Sequence, residues 1–168
     1  MMSTNTMQEN SITIPMAGLE VAQGNVTLKT FVGSCLAACI YDESKKIGGM
    51  AHIMLPRNNT GKTTIGTIHE GKFADDAVEV ILKKMNAISP VLRLKAKIAG
   101  GAKIFSHETD DGILNIGNKN ILGLHEILKE KKIPVVAESV GANYGRWVTF
   151  SCDNQRAIVK EKDGEKIL

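Results

Sequence analysis

The sequence predicts an α+β fold in which layered mixed β-sheets are covered by helices, and three observations predict it. Strand-like segments crowd the first third of the chain, two segments of helical periodicity lie in its middle, and strand-like segments return at its end. A chain of 168 residues is one domain with a sizeable core, expected over residues 12–168 after a frayed, flexible, methionine-rich terminus at 1–11. Hydrophobic content of 43% and charge of 23% are ordinary for a globular protein, while aromatics at 4% leave the core to Ile, Leu, Val, Ala and Met. The net charge of +3 is too small and too dispersed for a nucleic-acid partner. No leader-like apolar stretch precedes residue 20 and no run approaches a membrane span, so neither membrane insertion nor export is expected and the reading is cytoplasmic.

Taken in order, residues 12–14 are expected to add a short edge strand, and residues 18–26 carry mixed signals. Residues 26–30 alternate as a strand that runs into Gly33-Ser34-Cys35. The apolar run Leu36 to Tyr41 reads as a strand with Cys35, Ala37 and Cys39 on one face, although the propensity of Leu36-Ala37-Ala38 leaves a helix open. A further strand, 49–55, follows the polar turn Asp42-Glu43-Ser44-Lys45-Lys46. Residues 57–70 lack apolar periodicity and read as a lid or partner-binding loop. Gly61-Lys62-Thr63 within it is not a nucleotide loop, because Pro56 stands where that motif needs glycine.

Residues 71–87 form the strongest helical pattern, with Ala74, Ala77, Val78, Ile81, Leu82 and Met85 on one stripe and acids preceding bases. Leu92, Leu94, Ala96 and Ile98 alternate with Arg93, Lys95 and Lys97, a half-buried strand with a solvated basic face. It ends in Gly100-Gly101-Ala102, where backbone can approach a ligand or strand closely. Residues 106–112 are an acidic loop with His107 as an exposed bystander, and 113–116 lead through Gly117 into a helix at 118–131 carrying Ile121, Leu124, His125 and Leu128 on one face. Strands at 133–139, 145–152 and 156–161 complete the chain, the last two joined at Asp153-Asn154-Gln155, with Cys152 structural.

The chemistry concentrates in Thr30-Phe31-Val32-Gly33-Ser34-Cys35 and Gly48-Gly49-Met50-Ala51-His52. Gly33 and Ser34 bring backbone close to whatever approaches Cys35, and their N–H groups can face a developing oxyanion. If the two apolar segments pair as antiparallel neighbours, the start of the first meets the end of the second and Cys35 approaches His52. A thiol titrates near about 8.5, so an adjacent imidazolium is expected to hold Cys35 as thiolate. Taken singly, each residue has a plainer reading: a lone cysteine is commonly a small buried hydrophobe and a lone histidine a hydrogen-bonded core residue. Three cysteines, Cys35, Cys39 and Cys152, suit reduced thiols better than a disulfide framework. Cys35 and Cys39 lack a second ligand pair, so no metal and no cofactor is expected.

These segments, together with Gly71-Lys72-Phe73-Ala74-Asp75, Ala96-Lys97-Ile98-Ala99-Gly100-Gly101-Ala102, Asn115-Ile116-Gly117-Asn118-Lys119-Asn120 and Gly141-Ala142-Asn143-Tyr144-Gly145-Arg146, resemble the CheD family of chemoreceptor glutamine deamidases. The resemblance runs from about Val26 onward. It implies the layered architecture that the family shares with cysteine-dependent deamidating toxins. It also implies hydrolysis of glutamine side chains on helices of methyl-accepting chemoreceptors, with Cys35 as nucleophile and His52 as acid and base. A threonine upstream of the cysteine orients the histidine in this family. Thr30 is the choice here, with Lys29 at the spacing of some members and Thr27 as a further alternative. Gly33, Ser34, Gly100, Gly101, Asn118, Asn143 and Arg146 match family positions and are assigned to substrate binding. A CheC-type response-regulator phosphatase is the implied partner, and a regulatory module acting mainly through that phosphatase is the alternative to an enzyme. A redox sensor built on Cys35 and Cys39 explains fewer residues.

Overall fold

Alternation places side chains of one strand on two faces, and in this chain both faces of the central strands find cover. The computed structural model describes residues 10–90, 93–103 and 115–168. Its elements in chain order are β1 (Asn10–Thr13), β2 (Leu19–Gln23), β3 (Val26–Val32), β4 (Leu36–Asp42), β5 (Ile47–Ile53), α1 (Ala74–Ile88), β6 (Lys95–Gly100), α2 (Ile116–Glu130), β7 (Val135–Val140), β8 (Arg146–Ser151), β9 (Ala157–Glu161) and β10 (Gly164–Ile167). They make two five-stranded mixed sheets, one ordered β1-β3-β8-β9-β10 and the other β2-β5-β4-β6-β7.

Two cores define three layers. Ala38, Ile40, Ile53, Ala77, Ile81, Met85, Ile98 and Leu124 fill the space between the second sheet and the two helices. Leu28, Val32, Ala37, Cys39, Met50, Val148 and Phe150 fill the space between the sheets. The second sheet is therefore the middle layer, and every residue of β4 and β5 is buried. That explains why these strands read as apolar runs rather than alternating ones. Truncating Ile40, fully buried in β4, to alanine costs about 2–5 kcal/mol.

Several expectations are corrected by packing. Residues 71–73 lie outside the helix, Gly71 and Lys72 in a turn and Phe73 extended: the Lys72 carbonyl accepts from Met54 and Leu55 N–H, Gly71 N–H donates to Ala17, and Phe73 bridges to Leu55 before α1 begins. Residues 19–23, ambiguous in sequence, become β2 because they pair antiparallel with β5. Asn10 and Ser11, expected in a frayed terminus, pair parallel with β3. The basic face of β6 is not simply solvated. Lys97 lies partly buried with its Nζ donating to the carbonyls of Gln155 and Leu168 (2.7 Å each), and burial pulls its pKa down. α2 begins at Ile116, two residues earlier than expected, because the Asn115 side chain caps it by accepting from Asn118 N–H (3.0 Å). His107, the acidic loop at 106–112 and the beginnings of the segments at 92 and 113 lie outside the described residues.

Candidate active site

The site begins with alternation in β3. Leu28, Thr30 and Val32 face the second sheet, where Leu28 and Val32 join the inter-sheet core and Thr30 is 1% exposed. Lys29, Phe31 and Thr27 fall on the other face; Lys29 lies beside Trp147, and Thr27 beside Thr149 and Ser151. Across the layer, His52 is 4% exposed, and its register partner in β4 is Ala37. Cys35 precedes β4 by one residue and shares the Ala37 face, so it is the diagonal neighbour of His52. Such pairs have Cα atoms about 7–8 Å apart, within reach of side chains. Cys35 itself is partly exposed.

Thr30 Oγ1 lies 2.8 Å from His52 Nδ1 and 2.8 Å from the Ile14 carbonyl oxygen. The hydroxyl has one proton, and a carbonyl only accepts, so the proton goes to Ile14. Nδ1 must then carry the hydrogen of the imidazole and donate it to Thr30, which leaves Nε2 as the bare acceptor nitrogen. Nε2 is buried and has no hydrogen-bond partner among the described residues. Burial lowers the His52 pKa and raises that of the Cys35 thiol. Both shifts have one cause, since removing a group from water disfavours its charged form.

The floor of the turn is built from glycine backbone. Gly101 N–H donates to the Cys35 carbonyl and Ala102 N–H to the Gly33 carbonyl, both at 2.9 Å. Gly100 has φ of +116°, and a Cβ there would sit 2.3 Å from the Cys35 carbonyl oxygen, so this approach excludes any side chain. Gly33 and Ser34 are half-buried in the turn itself. Arg146, assigned from the resemblance to substrate, is 2% exposed. Its Nη1 donates to Gly141 (2.9 Å) and Gly100 (3.4 Å), and its Nε faces Glu161 Oε1 at 3.4 Å. Its guanidinium holds the glycine loop from beneath and presents no free face. Asn118 and Asn143 are both exposed, Asn118 contributing its backbone N–H to the α2 cap and Asn143 lying in the turn before β8.

The residue that sequence reading passed over is Asn120. It is fully buried, and its Nδ2 donates to the carbonyls of Ser34 (3.2 Å) and Met54 (3.0 Å). A signal was present: Asn120 falls at helical spacing on the buried stripe that includes Gly117, Leu124 and Leu128, where an amide is out of place.

Comparison with known proteins adds one family match and three relatives. Residues 54–161 match the CheD family, described as CheD chemotactic sensory transduction. The chain is 37% identical over 158 residues to the chemoreceptor glutamine deamidase CheD of Halalkalibacterium halodurans, covering 92% of this chain and 96% of that one. It is 41% identical over 150 residues to the probable chemoreceptor glutamine deamidase CheD of Clostridium novyi, covering 88% and 91%, and 36% identical over 159 residues to that of Archaeoglobus fulgidus, covering 94% and 98%.

Proposed function

From the premise that the chain belongs to the CheD family, we propose that it is a protein-glutamine glutaminase, deamidating glutamine side chains of methyl-accepting chemoreceptors to glutamate. The observation that carries the mechanism is the Thr30–His52 hydrogen bond, which leaves an unpartnered Nε2 on the sheet face shared with Cys35.

His52 Nε2 takes the thiol proton as Cys35 Sγ attacks the amide carbon, and Thr30 holds the ring in the tautomer that makes this possible. The carbonyl π pair moves onto oxygen, where backbone N–H groups of the Ser34-Cys35 turn stabilise it. Collapse expels the amine, which receives the proton from Nε2 and leaves as ammonia, giving a thioester. Water then loses a proton to Nε2, adds to the thioester carbon, and the thiolate departs to be reprotonated. The sum is glutamine plus water to glutamate plus ammonia. Gly100 and Gly101 line the approach with backbone, which suits a substrate side chain reaching in from a helix surface.

The reaction belongs where receptor signalling helices are, in the cytoplasm, and no helix among the described residues is long and apolar enough to cross a membrane. The family relationship extends the reading to a CheC-type phosphatase as a second partner. The deciding experiment incubates the protein with purified receptor cytoplasmic domains and maps glutamine-to-glutamate conversion by peptide mass. Conversion by wild type and none by Cys35→Ala is the expected result; conversion by the variant would remove Cys35 from the mechanism.

A further inference from the structure

α2 approaches the site more closely than a helix with ordinary side chains could. A Cβ at Gly117 would lie 2.5 Å from the Gly101 carbonyl oxygen, and one at Gly123 would lie 2.4 Å from Pro56 Cβ. These glycines stand three residues before and three after Asn120, on the same side of the helix. They let the helix backbone settle against the glycine loop on one side and the segment following β5 on the other. Between the two contacts the Asn120 amide reaches both chain segments of the proposed site, donating to Ser34 and Met54. Both partners are carbonyl oxygens, so the amide can face them only with its NH2. Its Oδ1 is left buried with no partner among the described residues. Burying an unmet acceptor is unfavourable, but the NH2 of the amide meets the Ser34 and Met54 carbonyls, which an apolar side chain would leave without that donor. The amide therefore ties the segment that carries Cys35 to the one that follows His52, and fixes the orientation of both carbonyls.

What it orients follows from the peptide bond. The Ser34 carbonyl and the Cys35 N–H belong to one planar trans unit and point in opposite directions. Drawing the Ser34 oxygen inward onto Asn120 turns the Cys35 N–H away from α2, and no acceptor among the described residues takes it. We propose that Asn120 is a positioning residue for deamidation: by holding the Ser34–Cys35 peptide between α2 and the strand carrying His52, it aims the Cys35 N–H at the oxyanion formed on the attacked amide. The proposal rests on the glutaminase reading above.

The test measures kcat and KM for deamidation of receptor cytoplasmic domains by wild type, Asn120→Asp and Asn120→Ser, with thermal unfolding and the rate of Cys35 alkylation by iodoacetamide on each. Asn120→Asp keeps the shape but turns both donors into acceptors that repel the two carbonyls. Its kcat is expected to fall about 10²-fold, the scale of losing an oxyanion donor, with KM within about threefold of wild type. Asn120→Ser keeps one donor and is expected to lose less. Alkylation needs no oxyanion stabilisation, so its rate should stay within about threefold in both variants. A folded Asn120→Asp with wild-type kcat overturns the proposal. So do alkylation losses that match the turnover losses, or unfolding of both variants, since either makes Asn120 a structural residue only. Absence of deamidation by wild type would instead strike the glutaminase reading itself.

Discussion

Cys35 and Cys39 sit four residues apart on one face of one chain segment, yet they occupy opposite chemical worlds. Cys35 lies in the turn before β4, partly exposed, diagonal to the unpartnered nitrogen of His52. Cys39 lies in mid-strand, 1% exposed, within the inter-sheet core that also holds Met50, Phe150 and Cys152. Burial there drives the Cys39 thiol far above its ordinary pKa, with nearby Cys152 adding to it, and Cys152 itself is pushed up to about 11. The same layer thus holds one thiol partly exposed at its mouth and two enclosed inside. Strand position alone, about 3.3 Å per residue, separates the proposed nucleophile from a packing residue.

The sharpest break of this comparison is exchange of the two cysteines' fates. Cys35→Ala is expected to abolish deamidation, whereas Cys39→Ala should keep turnover within about threefold and lower stability by about 1–2 kcal/mol through its cavity, read from the denaturation midpoint. Substantial loss of turnover in a folded Cys39→Ala would erase the distinction.

Next in size is His52→Gln, which keeps a polar side chain but relays no proton near neutrality. Turnover should fall about 10²- to 10⁴-fold. Because burial shifts both groups toward their neutral forms, alkylation of Cys35 at pH 7 should fall less than turnover does. Equal losses in both rates would restore the imidazolium–thiolate pair expected from sequence.

Thr30→Val keeps the shape of the third residue while removing the acceptor that sets the His52 tautomer. Turnover is expected to drop toward the lower end of the acid–base range, about 10²-fold, with unchanged receptor binding in a pull-down. Lys29→Ala, on the opposite face of β3, should leave turnover near wild type, and a large loss there would reopen the choice between the two positions.

The smallest effect lies in the pH profile. His52 must be neutral to act as base, and its pKa is lowered by burial, so activity should persist below pH 6.5, the ordinary midpoint of a free imidazole. An acid limb of kcat/KM centred above that value contradicts a buried, neutral His52.

Much of this was legible in the chain. The strands around Cys35 and His52 announce themselves as apolar runs bounded by Gly-rich and charged turns, and their antiparallel pairing follows from the short connection between them. The stripe of α1 is likewise readable, since Ala74, Ala77, Val78, Ile81 and Met85 are all buried where the helical period puts them. Residues 71–73 misled because a good helix-forming context cannot reveal that Lys72 and Phe73 are claimed by the segment after β5. β10, entirely exposed and with Ile167 as its one large apolar residue, has no periodicity to read and exists through pairing with β9.

By itself, then, the sequence determined the residues able to do chemistry, Cys35 and His52, and the local periodicities that make their strands, because both are written in neighbouring residues. Only the tertiary structure puts Thr30, rather than Lys29 or Thr27, in contact with His52, because which face of β3 meets His52 depends on how a second sheet packs against the first. Only it placed Asn120 rather than Asn118 against the Cys35 turn, and turned Arg146 from a surface contact into a buried brace. These are contacts between elements distant in sequence, set by layer packing and close glycine approach, and no local pattern encodes them.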